Sequence, residues 1–142
     1  MRTVSETASL LKRAGIIDHR RPDDAALLMW HQLLAPYTFS DCVDALAAHR
    51  RESTEYLVPA HIAGRVRAVQ RRRALAVPFE ANPDIERDYP AACRAIAEAV
   101  RNGVIDRDDY NQYVEGTVPA DEFIRRVEAR AVAAGRGRRE LR

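Results

Sequence analysis

Apolar residues recur at helical spacing along most of this chain, and β-branched runs are scarce. The pattern predicts an all-α protein. A first helix is predicted over residues 5–14, with Ser5 as N-cap, Gly15 as stop, and Val4, Ala8 and Leu11 on its core face. After a polar connection, Asp18-His19-Arg20-Arg21, the run Pro22-Asp23-Asp24 opens a second helix. Its first-turn carboxylates offset the positive end of the helix dipole. The helix carries Leu27, Met29, Trp30, Leu33 and Leu34, and it stops before Pro36. Trp30 is assigned to core packing rather than to an interface. Thr38 with Asp41 resembles a capping box for a third helix, whose stripe Phe39, Val43, Leu46 and Ala47 should face the core. Pro59 starts a fourth helix with Ile62, Val66 and Val69 on one face, and Tyr56 is placed to staple that start.

Pro78, Pro83 and Pro90 interrupt the helical pattern, so residues 76–90 are read as a linker. Beyond it, a helix from Pro90 to about residue 102 carries Cys93, Ile96, Ala97 and Val100 on one face and closes at Gly103. Asp106 caps a short helix through Tyr113, and Pro119 starts another with Phe123, Ile124 and Val127. The expected layout is a compact bundle of short helices over 1–75, the linker, a helical region over 91–134, and a basic tail over 135–142.

Composition narrows the classes. A chain of 142 residues with 46% hydrophobic content can bury a core, which excludes global disorder. Of its 23 cationic residues, only Lys12 is lysine. Residues 1–75 hold 12 basic against 8 acidic side chains, and residues 76–142 hold 11 against 13. The first half is therefore the better partner for an acidic surface or nucleic acid. Cys42 and Cys93 lie in apolar helical patterns and read as buried free thiols. The start lacks the apolar stretch of a signal peptide, and no apolar run approaches 18 residues. A cytoplasmic, soluble protein without membrane contact is expected.

No catalytic constellation emerges. His19, His31, His49 and His61 are too dispersed for a metal site, and neither cysteine belongs to a CxxC pair. The acidic clusters Asp23-Asp24 and Asp106-Asp108-Asp109 stand at predicted helix starts, where dipole and capping effects account for them. Glycine-rich phosphate loops and nucleophile motifs are missing from the sequence. The expectation is a non-enzyme without metal or cofactor. The densest positive charge is Arg65, Arg67, Arg71, Arg72 and Arg73 on the fourth helix. That surface is the first candidate for contacts with a protein or with nucleic-acid phosphates. A second is the amphipathic helix from Phe123 to Arg130, including Arg126.

Residues 5–73 carry a family resemblance. The matching features are Glu6-Thr7-Ala8 with Leu10-Leu11, Trp30-His31 with Leu33-Leu34, and Phe39-Ser40-Asp41 with Val43-Asp44-Ala45. They continue with His49-Arg50-Arg51-Glu52-Ser53 and Leu57-Val58-Pro59-Ala60-His61-Ile62, a hydrophobic-Pro-x-x-Ile signature. In these the chain resembles small phage and prophage proteins that load or inhibit the hexameric replicative helicase, in an actinobacterial or actinophage branch. The sequence carries no ATP-binding motif, which sets it apart from the ATPase class of loaders. The resemblance implies a folded helical N-terminal domain and a flexible C-terminal region that can contact the helicase. Residues 90–133 depart from it in being strongly helical. Two other readings stand beside this one: a DNA-binding regulator that places the same arginines on phosphates, and a phage or host protein-interaction module.

Overall fold

In the computed structural model, which describes residues 3–19, 21–77 and 90–136, every regular element among the described residues is an α-helix. The protein is all-α. The first helix, α1 (Val4–Asp18), begins earlier than expected because Thr3 and Glu6 form a full capping box. The Thr3 hydroxyl accepts from the Glu6 N–H at 3.2 Å, and the Glu6 carboxylate accepts from the Thr3 N–H at 3.3 Å. Two orphan N–H groups are satisfied there at once, which a cap at Ser5 would not achieve. The helix also runs through Gly15 and ends at Asp18, with His19 in the left-handed region at φ 54°. Its core face is Thr7, Leu10, Leu11 and Ala14, while Val4 and Ala8 are exposed. The apolar stripe expected on Val4 and Ala8 is thus turned toward Leu10 and Ala14.

Helix α2 (Asp24–Leu34) starts where the carboxylates require, with the Asp23 side chain accepting from the Ala26 N–H at 2.7 Å. Trp30 and Leu34 are buried, whereas Met29 and Leu33 are more than half exposed. Helix α3 (Phe39–Glu52) is capped by Thr38, whose hydroxyl accepts from the Asp41 N–H at 3.2 Å. Its buried face is Cys42, Ala45, Leu46 and His49. The expected stripe is rotated by about one residue: Leu46 holds, Phe39 and Val43 are half-buried, and Ala47 is exposed. His49, a polar residue that the hydrophobic pattern excludes from the core, is admitted to that face by its hydrogen bond to the Glu55 carbonyl.

Helix α4 (Pro59–Ala76) contributes Ile62 and Val66 to the core, with Val69 half-buried. The residue that staples its start is Leu57, not Tyr56. Leu57 and Ile62 are fully buried in one cluster, and Tyr56 is 65% exposed.

Two compact units divide the chain, Met1–Ala68 and Val69–Arg142. The division falls inside α4, and Val77 lies in the second core. In the first unit α1 packs on both α2 and α3. The proposed linker 76–90 lies outside the described residues apart from its ends, as does the basic tail after residue 136. The second unit comprises the end of α4, then α5 (Pro90–Arg101), α6 (Arg107–Val114) and α7 (Ala120–Arg136). Ile96, Val100, Ile105, Val118, Phe123 and Val127 fill its core, and α5 packs on α7. Gly103 closes α5 at φ 66°. The Val104 N–H reaches the Ala99 carbonyl at 2.8 Å and the Gly103 N–H reaches Val100 at 3.0 Å, the two bonds of a Schellman motif. Among the described residues no helix is long and apolar enough to cross a membrane.

Candidate functional site

The five arginines of α4 separate into two kinds. Arg65 is half-buried and paired with Glu52 at 2.6 Å, which ties the α3 end to α4. Arg73 lies over Gly103 and donates from Nη1 to the Arg101 carbonyl at 3.0 Å, so it caps the C-terminal end of α5. A cation at that negative dipole end is stabilising. These two side chains, expected to meet a partner, serve the fold.

Arg67, Arg71 and Arg72 are exposed and make no ion pair among the described residues. Arg67 and Arg71 stand one turn apart on the same face, with Cα atoms separated along the axis by about 6 Å. Like charges at this spacing slightly destabilise a helix. Helix stability therefore gives no reason for them, and together they present an exposed cationic surface. Leu75, one turn beyond Arg71 and Arg72, is 81% exposed.

The C-terminal candidates resolve differently. Phe123 is 4% exposed and stacks on Tyr113 with ring centroids 4.8 Å apart, so it is a core residue and not an exposed contact. Its apolar spacing on α7 faces the second core. Arg126 pairs with Glu122 one turn earlier at 2.6 Å. Arg130 pairs with Asp109 at 2.5 Å. Burial pulls the Asp109 carboxyl upward, but the hydrogen bond and charge of Arg130 and the Asp106 N–H outweigh it and hold the carboxyl below its ordinary range. A lowered carboxylate stabilises the fold above its unfolded value near 3.9 and loses that contribution as pH falls through the folded value. The second unit should therefore lose stability below about pH 4. Asp109→Asn should flatten that acid limb in a pH series of thermal unfolding; an unchanged limb would assign it to other carboxylates.

The sequence did not single out the pairing of His49 and His61. Their rings stack with centroids 4.7 Å apart and planes 20° from parallel. His49 Nε2 donates to the Glu55 carbonyl at 3.1 Å, and His61 Nδ1 accepts from the Val58 N–H at 3.4 Å. The second bond is the reaching-back arm of a capping box, made by histidine where Glu or Gln is usual. Both rings hold the connection between α3 and α4. Twelve residues separate them, so no local pattern signals the pair.

His31 is engaged with the buried Thr7 hydroxyl at 3.0 Å. Among the described residues no group of three or more His, Cys, Asp or Glu side chains is placed to hold a metal ion. Asp106 spends its side chain on the N–H groups of Asp108 and Asp109, as expected of a helix start. Both cysteines are free and buried, and burial pushes the Cys42 thiol up to about 12. No protein-family model, curated protein or solved structure matches this chain.

Proposed function

We propose that this chain is a non-enzymatic accessory protein of DNA replication that docks on the hexameric replicative helicase and controls its loading or activity. The partner follows from the resemblance carried by residues 5–73. The observation that carries the docking surface is the set of three exposed α4 guanidiniums, Arg67, Arg71 and Arg72, without ion pairs among the described residues. Cations left free on a helix are available to carboxylates of a partner, where they speed encounter and set specificity. A protein that binds one assembly state of the helicase better than another shifts the population toward it by that difference in affinity.

The same observation favours a second reading, a regulator that places these guanidiniums on nucleic-acid phosphates. The double variant Arg67→Glu, Arg71→Glu separates the readings. Its unfolding free energy should stay within about 0.5 kcal/mol of the parent, because both residues are on the surface. On the helicase reading it should lose capture of purified replicative helicase by at least about tenfold, at a constant and moderate salt concentration. Retained capture would remove this surface from the proposal. If the parent instead binds duplex DNA with affinity falling steeply as salt rises, and ignores the helicase, the phosphate reading replaces it.

A further inference from the structure

The second unit has a concavity of about 540 Å³ around the start of α6, with Arg73, Arg107 and Arg130 in its wall. We infer that it is a binding site for a small phosphate monoester bearing an apolar substituent. It is independent of the helicase reading.

Two of the guanidiniums are held in advance. Arg73 is held by its bond to the Arg101 carbonyl and lies close over Gly103, where a Cβ would be 3.0 Å from the guanidinium carbon. The missing side chain is what leaves room for the arginine. Arg130 is fixed through Nη1 by Asp109 at 2.5 Å. Arg107, the first residue of α6, is exposed and has no ion pair among the described residues. Held guanidiniums lose little freedom when they bind, and their planar forks match phosphate oxygens.

Two carboxylates also line the wall, Asp106 and Asp109. Asp106 accepts from the N–H groups of Asp108 and Asp109 at 2.9 and 3.0 Å. Asp109 accepts from Arg130 and from the Asp106 N–H. Both are committed inside the protein, and among the described lining residues three arginines stand beside two carboxylates. Since Asp106 already occupies the first N–H groups of α6, recognition of an anion falls to the arginines and not to the helix end.

Size and wall chemistry favour an organic phosphate over a bare ion. The volume falls in the range of organic-ligand pockets, roughly 300–1,000 Å³. Val104 and Ile105 supply apolar wall beside the cations. A phosphate group would engage the guanidiniums, and its substituent would cover these side chains.

Calorimetric titration of the full chain with phenyl phosphate, inorganic phosphate and benzyl alcohol tests this. Phenyl phosphate should bind saturably and at least about tenfold tighter than inorganic phosphate, with benzyl alcohol silent. Arg107→Glu should weaken phenyl phosphate by about tenfold or more while leaving the ligand-free unfolding midpoint unchanged, because Arg107 is exposed and has no ion pair among the described residues. Methyl signals of Ile105 should shift on binding. Failure of phenyl phosphate to saturate by about 10 mM, equal binding by the Arg107→Glu variant, or parity with inorganic phosphate would each overturn the inference.

Discussion

Replacing Gly103 by alanine is expected to lower the stability of the second unit by about 1–3 kcal/mol. Two effects act together. At φ 66° a side-chain-bearing residue is strained. The added Cβ would also lie 3.0–3.2 Å from three atoms of the Arg73 guanidinium, which must give by a few tenths of an ångström and so disturbs its bond to the Arg101 carbonyl. Gly64 provides the opposite control. It lies inside α4, and a Cβ there meets nothing within 4 Å. Gly64→Ala should therefore raise stability by about 0.5–1 kcal/mol through lost freedom in the unfolded chain. Urea unfolding of the two variants beside the parent measures both signs. An alanine at 103 as stable as the parent would show that neither the turn nor the Arg73 cap carries weight.

Leu34→Ala should destabilise the first unit by about 2–5 kcal/mol, and Leu33→Ala by less than about 0.5 kcal/mol. The two leucines are adjacent in sequence, yet Leu34 is fully buried while Leu33 is 54% exposed. Truncating Leu34 forfeits transfer energy and opens a cavity between α1, α2 and α3; truncating Leu33 removes atoms from water. Equal losses at both positions would mean that α2 is turned differently about its axis. The comparison matters because α2 is apolar around most of its circumference, with only Asp24, His31 and Gln32 polar.

That helix shows where reading the sequence succeeds and where it stops. The helices themselves were legible, because Asp23, Thr38, Asp106 and Gly103 are local signals that act through their own backbone neighbours. Core faces were less so. Hydrophobicity cannot rank Met29 and Leu33 against Trp30 and Leu34 on a helix apolar on all sides. It also ranks Thr7 and His49 as surface residues, although hydrogen bonds to His31 and Glu55 allow both to be buried. The arginine cluster was visible as charge, but not its division. Arg65 and Arg73 find partners 13 and 28 residues away in sequence, and such pairings appear only when the chain is folded. The Glu122–Arg126 pair, one turn apart, was there to be read.

Each unit holds one buried cysteine, Cys42 in the first and Cys93 in the second. Only a thiolate reacts rapidly with alkylating reagents, and a thiol shielded by the fold must first be uncovered. The rate at which each cysteine takes up a maleimide therefore clocks the opening of its own unit, with no introduced probe. Peptide-resolved mass spectrometry would read the two clocks in one tube. Matching rates would mark a single cooperative opening, and different rates would give each half of the chain its own lifetime.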